Sequence, residues 1–230
     1  MTNSPSISAC RNQALTAINS FVDELSPAAR SFWAKSGDET GHLSLAQHLI
    51  DSACAAAVIF DKWVSNSLKE NLAQNLKLSI GEVRLLYIWL AGLHDLGKAT
   101  LTFQGQLDLK PEFRHLLSNV ADAGLPTAMS ELETARKSMP HSVSSGLILR
   151  NWLERKGYSR RLANWLSSTV DAHHGVASGE ERDAINNVLS EYPPEWHAVH
   201  DEIIDAMTET VDVHDVLQSL KSLRNPLAAE

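Results

Sequence analysis

The sequence is short of cysteine and of long apolar runs. Only Cys10 and Cys54 occur among its 230 residues, and they are far apart. A disulfide framework or a zinc ribbon needs cysteines in ligand-like pairs, so both are excluded. No stretch approaches the roughly 18 apolar residues that span a membrane, and the polar amino terminus has no signal-peptide core. We therefore expect a cytoplasmic protein with no membrane partner.

Glycine and strand-like patterning are also scarce. The chain has 11 glycines, and its Ala- and Leu-rich stretches lack the Val/Thr alternation of half-buried strands. An apolar content of 43% is enough to form one sizeable core. We predict an all-α fold, with a polar helical segment over residues 1–30 and one compact domain over residues 31–230.

Positive charge is in deficit, since the formal net charge is -8. Indiscriminate binding of polyanions depends on cationic side chains that displace counterions from phosphates, and this composition opposes it. A nucleic-acid substrate therefore requires divalent cations that reverse the local potential, or a partner that delivers the strand.

Several histidines fall at predicted helix ends. Ser44 and Gln47 have the spacing of a capping box, which puts His48 in the first turn of a helix. Pro140 precedes another helix, with His141 in its first turn.

Two further segments follow from the same patterns. The helix that begins after Ser159 is predicted to carry His173 on its apolar face and to end at Gly175. The segment from Pro111 to Pro140 is predicted to be loop-rich.

A His-Asp dipeptide occurs three times, and its surroundings differ. His200-Asp201 and His214-Asp215 lie in charge-rich stretches, which favour solvated helix faces. His94-Asp95 ends an apolar helix that Ser79 and Glu82 begin as a capping box. An ionised carboxylate there is costly unless it is paired or bound to metal, so a ligand role is favoured for Asp95.

Adjacent helical residues project about 100° apart, so His94 and Asp95 share one cavity only beside a helix end. Other helix ends supply more imidazoles to such a cavity. Imidazoles with one carboxylate suit Mn, Fe, Co or Ni, with Mg as the less favoured alternative. If Asp95 bridges two ions roughly 3.5 to 4 Å apart, they can activate water and stabilise the charge that develops in phosphodiester hydrolysis. The histidines that complete this candidate site are His48, His141, His173 and His174.

Taken in their order along the chain, these motifs resemble the HD nuclease domain of the CRISPR-associated helicase-nuclease of type I systems. The resemblance covers about residues 31–176. The central motif is the most specific part of the likeness. The matching segments are Ser31-Phe32-Trp33-Ala34-Lys35-Ser36, Leu45–Ala53 around His48, Ala91–Ala99 with Phe103-Gln104, His141, and Asp171-Ala172-His173-His174-Gly175.

The resemblance implies an HD-domain helical bundle with a metal site at its centre. It further implies cleavage of single-stranded DNA in CRISPR interference, with recruitment by Cascade and a helicase, in the same or a separate chain, that feeds the strand. Asp95 and Lys98 are then the catalytic residues, Lys98 as a phosphate contact; the alternative for Lys98 is a surface lysine. The implied ligands of two transition-metal ions are His48, His94, Asp95, His141, His173 and His174.

The sequence departs from the family pattern in two ways. A further metal-binding aspartate is expected downstream, and its candidates are Asp205 or a residue past Glu230. No Gly-x-x-x-x-Gly-Lys-Ser/Thr loop is present, so the chain has no helicase motor and is either a fragment or a stand-alone piece.

Two alternative functions stay open. One is a nucleotide phosphohydrolase, for which more phosphate contacts than Lys98, Arg114 and Arg150 are expected. The other is a catalytically incomplete module that docks on Cascade or a helicase.

Overall fold

A computed structural model describes residues 20–37, 41–107, 110–127, 139–175 and 179–222. Most of the predicted segment 1–30, and the middle of the predicted loop between Pro111 and Pro140, lie outside these ranges. Residues 20–24 are helical. The α-helices with both ends described are α1 (Pro27–Arg30), α2 (Leu45–Lys62), α3 (Asn66–Leu76), α4 (Ile80–Gly92), α5 (Leu101–Gln104), α6 (Arg114–Asp122), α7 (His141–Arg155), α8 (Arg160–Asp171), α9 (Gly179–Ser190), α10 (Pro194–Val211) and α11 (His214–Ser222).

Helix α4 is the centre of the fold. Its apolar sequence follows the capping box that Ser79 and Glu82 form, and both halves of that box are present. The helix packs against α2, α3, α8, α10 and α11. Trp89, in its last turn, is fully buried and donates its indole N–H to Thr208 Oγ1 at 3.0 Å. The prediction of a central apolar helix, and with it the all-α fold class, is confirmed.

One short hairpin departs from a purely helical architecture. Strand β1 (Trp33–Ser36) pairs antiparallel with β2 (His42–Ser44), with Trp33 opposite Ser44. Strands of four and three residues are too short to show an alternating pattern, so the sequence did not reveal them. Ser44 ends the hairpin and caps α2 by accepting the N–H of Gln47.

The segment after Pro111 is more regular than predicted. Helix α6 occupies part of it, with Leu116 and Val120 buried one turn apart, so the loop prediction is wrong for these residues. Phe113, Leu116, Leu117 and Val120 have the i, i+3, i+4, i+7 spacing of an amphipathic helix, and the loop prediction gave too much weight to the nearby glycine and prolines. Gly124, with φ of 94°, lies just past the end of α6 in the left-handed region that glycine tolerates.

The residues before the hairpin join the same core. Phe21 and Leu25 are buried in the cluster that contains the apolar faces of α2 and α4. The boundary after residue 30 stays a prediction. Among the described helices, none is both long and apolar enough to cross a membrane.

Candidate metal centre

The six predicted ligands come together where four helices begin or end. His48 lies in the first turn of α2, and His141 is the first residue of α7. His94 and Asp95 follow the end of α4. His173 and His174 follow the end of α8. Their donor atoms form two groups, each with all atoms within 4.8 Å of one another: His48, His94 and Asp95, and His141, His173 and His174.

The Asp95 carboxylate belongs to the first group but also contacts imidazoles of the second. Its Oδ2 is 2.7 Å from His48 Nε2 and 3.3 Å from His94 Nε2. Its Oδ1 is 3.2 Å from His141 Nε2 and 3.1 Å from His173 Nε2. Each oxygen therefore faces a different set of imidazoles, as a carboxylate that bridges two ions requires.

Backbone carbonyls fix the orientation of two of the rings. His94 Nδ1 lies 2.9 Å from the carbonyl oxygen of Ala91, and His173 Nδ1 lies 2.7 Å from that of Val170. With Nδ1–H donating to a carbonyl, Nε2 is left to face Asp95. Metal-ligating histidines in proteins are commonly held in this way.

Helix α8 ends earlier than predicted. Its last residue is Asp171, and the chain then turns so that the N–H of Gly175 donates to the carbonyl of Ala172. Gly175 has φ of 111°, which its lack of a side chain permits. His173 thus reaches Asp95 from a turn, and not from the helix face that the apolar spacing indicated.

The imidazoles around Asp95 determine its charge. Burial by itself raises the pKa of Asp95, but the imidazoles of His141, His173 and His48 outweigh it and hold that pKa far below its ordinary value. The same contact with Asp95 raises the pKa of His173. Asp95 is therefore an ionised carboxylate although only 4% of its surface is exposed.

The donor set fits divalent transition metals. His141 Nε2 is buried and close to Asp95 Oδ1, yet it makes no geometrically acceptable hydrogen bond. A buried ring nitrogen without a partner is costly, and a cation between the Nε2 lone pair and the carboxylate would bind both. Imidazole nitrogens with a shared carboxylate are ligands that Mn, Fe, Co, Ni and Zn accept.

Lys98 is not a surface residue. Its side chain is 8% exposed, and its ammonium group lies 2.7 Å from Asp95 Oδ2. The interpretation of Lys98 as a surface lysine is therefore wrong, because the short helix Leu96–Lys98 turns it back toward Asp95.

Gln104 connects the Trp33 segment to the central motif, a role that the sequence did not reveal. Its buried carboxamide donates to the carbonyl oxygens of Lys98, at 2.7 Å, and Trp33, at 3.0 Å. It also accepts the N–H of Trp33 at 3.2 Å. The rings of Trp33 and Phe103 pack beside it, and Phe103 contacts His141 edge to face. Two motifs that are about 70 residues apart in sequence thus form one wall of the site.

Of the other two His-Asp dipeptides, one behaves as predicted. His214 and Asp215 are exposed at the start of α11. His200, in contrast, is only 2% exposed, so its assignment to a solvated helix face is wrong. Trp196, His200 and Ile203 form a buried stripe at helical spacing, which the surrounding charges masked.

Burial of His200 predicts an acid-sensitive stability. Desolvation lowers the pKa of His200 from 6.5 to about 4. Below pH 6.5 the unfolded chain therefore binds a proton that the folded protein does not, and stability falls until the pH reaches about 4. We expect His200 to account for about 3 kcal/mol of the loss between pH 7 and pH 4.

Urea unfolding at these two pH values, in the presence of a chelator, tests this expectation. Between pH 7 and pH 4 the free energy of unfolding should fall by about 3 kcal/mol more in the wild type than in His200→Gln, because glutamine does not titrate in this range. Equal losses in the two proteins would contradict it.

Asp205 is not part of the cluster. It accepts a hydrogen bond from Trp152 Nε1 at 3.1 Å and pairs with Lys156 at 3.1 Å. Five residues after His200, it projects about 140° away around α10 from the face that carries that histidine. The other candidate for the further ligand lies beyond the described residues.

Asp171 is a buried acid whose structural role does not follow from the sequence. It is 2% exposed at the end of α8 and forms an ion pair with Arg182 of α9. Arg182 thus ties α9 to the turn that carries His173.

Comparison with known proteins finds consistent similarity. A model described as "Cas3, HD domain" matches residues 33–229. The chain is 34% identical over 170 residues to the CRISPR-associated endonuclease/helicase Cas3 of Thermus thermophilus, covering 74% of this chain and 17% of that protein. It is 28% identical over 178 residues to the CRISPR-associated nuclease/helicase Cas3 of Streptococcus thermophilus, covering 72% of this chain and 18% of that protein.

A solved structure shows the same fold. The crystal structure of the Thermus thermophilus Cas3 HD domain in the presence of Ni²⁺ is 25% identical, with a TM-score of 0.56, and the match covers 85% of this chain and 73% of that one. The chain spans less than a fifth of the length of the curated relatives.

Proposed function

The chain belongs to the Cas3 HD domain family, and from this premise we propose that it is a metal-dependent nuclease that cleaves single-stranded DNA in type I CRISPR interference. The position of Asp95 carries the proposal. One carboxylate that contacts imidazoles of two separate groups through its two oxygens is arranged for a pair of ions, and paired ions suit phosphodiester hydrolysis.

Two groups of residues would hold the ions. His48 and His94 would bind one ion. The other ion would be bound by His141, His173 and His174, and Asp95 would contact both ions. When bound, such ions supply Lewis-acid stabilisation of the phosphate charge and an activated water. The preference for Mn, Fe, Co or Ni is supported by the imidazole-rich donor set, and a relative was crystallised with Ni²⁺.

The protein's own groups orient this chemistry. The carbonyls of Ala91 and Val170 hold the His94 and His173 rings in the tautomer that presents Nε2. We assign Lys98 to the neutralisation of a substrate phosphate, since its buried ammonium lies 2.7 Å from Asp95 Oδ2, next to the imidazoles of the cluster.

A helicase and Cascade are the proposed partners. The curated relatives are named as nuclease and helicase together, and this chain matches less than a fifth of each. A net charge of -8 also favours a strand that is delivered by a partner over one that is captured from solution.

The proposal is tested by incubating the protein with Mn²⁺, Ni²⁺ or Co²⁺ and single-stranded DNA, double-stranded DNA or nucleoside triphosphates in parallel. We expect metal-dependent cleavage of single-stranded DNA that a chelator stops. Hydrolysis of the nucleotides alone would support a nucleotide phosphohydrolase. Absence of bound metal by elemental analysis would support the docking module.

The role of Lys98 gives a separate prediction. Lys98→Met should keep the bound metal but slow DNA cleavage about 100-fold, since removal of a group that stabilises transition-state charge has an effect of this order. The rate under saturating DNA and the metal content are measured on the same samples. Lys156→Met, which removes the partner of Asp205, is the matched control and should cleave normally. An unchanged rate in Lys98→Met would show that Lys98 only balances the charge of Asp95.

A further inference from the structure

His200 contacts the backbone of the central motif from the other side of the fold. Its Nε2 lies 2.6 Å from the carbonyl oxygen of Ala99, the residue that ends the short helix Leu96–Lys98. Because a carbonyl can only accept, the imidazole donates. Burial lowers the pKa of His200 to about 4, so the ring is neutral at physiological pH.

The segment that receives this hydrogen bond presents both Asp95 and Lys98. Inside it, the N–H of Lys98 donates to the carbonyl of Asp95, and the N–H of Ala99 donates to that of Leu96, both at 2.9 Å. The carbonyls of Lys98 and Ala99 instead point outward, the first to Gln104 and the second to His200. The orientation of this short helix is therefore set by side chains of other elements.

The polar and charged neighbours of His200 do not explain its burial. His197 lies one turn earlier on α10 with ring centroids 6.2 Å apart, and Arg155 of α7 adds positive charge. Neither supplies an acceptor for the imidazole N–H, and the ring otherwise packs near Trp196. The Ala99 carbonyl is the polar partner that makes a buried histidine favourable at this position.

We propose that His200 is a positioning residue of the metal centre, whose imidazole fixes the Ala99 carbonyl and thereby the short helix that presents Asp95 and Lys98. The second His-Asp dipeptide of the chain thus supports the first, while its Asp201 faces outward and pairs with Arg155. The proposal rests on the proposed metal site, and one of its tests uses metal-free protein so that the two can fail separately.

The main experiment compares His200→Leu, which removes the donor, with His200→Gln, which keeps one. Thr208→Val is the matched control, because it removes a buried hydrogen bond from the same helix, that with Trp89, without touching the central motif. Calorimetry with Ni²⁺ or Mn²⁺ gives the Kd, and hydrogen exchange of the Lys98 and Ala99 amides is followed in metal-free protein.

His200→Leu should weaken metal binding by about tenfold to a hundredfold, the range seen when an outer partner of a metal site is lost. It should also accelerate exchange at Lys98 and Ala99. His200→Gln should recover most of both properties, and Thr208→Val should change neither. A Kd and exchange rates equal to the wild type in His200→Leu would overturn the proposal and make His200 an ordinary core residue.

Two further results, a wild type that binds no metal and a His200→Leu variant that does not fold, still leave the proposal testable. If the wild type binds no metal, the proposed function fails, and unchanged amide exchange in His200→Leu would then overturn the positioning role as well. If His200→Leu does not fold, His200→Asn replaces it, since its shorter amide cannot reach Ala99. A Kd for His200→Asn equal to that of the wild type would overturn the proposal.

Discussion

Replacing Asp95 by asparagine should abolish metal-dependent DNA cleavage and remove most of the bound metal. The amide keeps the size of the carboxylate but cannot carry the charge that both groups of imidazoles face. Loss of several kcal/mol of charge stabilisation corresponds to a decrease of at least about 1000-fold in rate. Cleavage of labelled single-stranded DNA and the metal content of the purified protein measure the two effects.

The control for this variant is Asp205→Asn. Asp205 is a carboxylate on α10 that pairs with Lys156 and bonds to Trp152, away from the cluster. Its replacement should leave metal content and cleavage unchanged. If Asp95→Asn still binds two ions per chain, Asp95 does not have to contact both ions. If Asp205→Asn loses metal, Asp205 becomes a candidate ligand again.

The candidate ligands could be predicted because they occur at helix ends, which have local signals in the sequence. Ser44 and Pro140 mark the helix starts that carry His48 and His141, and the apolar run before His94 marks a buried end. These signals are local, so the spacing and the family resemblance were sufficient to predict that these side chains come together. The pairing of each Asp95 oxygen with its imidazoles came only from the structure.

The residues that support the candidate ligands were not predictable, because their roles depend on contacts between distant parts of the chain. Gln104 bonds to Trp33 across 71 residues, and His200 bonds to Ala99 across 101. Neither pairing follows from periodicity. The burial of His200 was visible in the spacing of Trp196, His200 and Ile203, but the adjacent charged residues favoured the wrong interpretation.

The second large effect is expected at Gly97, where the short helix Leu96–Lys98 meets α7. A Cβ added there would lie 2.0 Å from the carbonyl oxygen of His141 and 2.5 Å from the backbone nitrogen of Ser145. Both are backbone atoms of a helix and cannot turn aside as a side chain can. Gly97→Ala should therefore lower the free energy of unfolding by about 3 kcal/mol, at the upper end for an overpacked core. Urea unfolding measures this change.

The same substitution should also weaken metal binding, because the clash forces apart elements that carry ligands of different groups. Gly97 is two residues after Asp95, and the atom nearest to the added Cβ belongs to His141, whose Nε2 is 3.2 Å from Asp95 Oδ1. Any movement that relieves the clash changes this distance.

Gly81→Ala is the matched control, because the nearest neighbour of an added Cβ there is Ser79 Oγ at 3.9 Å. An alanine in the first turn of α4 should raise the free energy of unfolding by about 0.5 kcal/mol and leave the Kd for metal unchanged. If Gly97→Ala lost stability but kept the wild-type Kd, the contact between the short helix and α7 would hold the fold without setting the distance between the two groups of ligands. If stability and metal affinity are both lost, this one backbone contact both holds the fold and sets the distance between the two groups of candidate ligands.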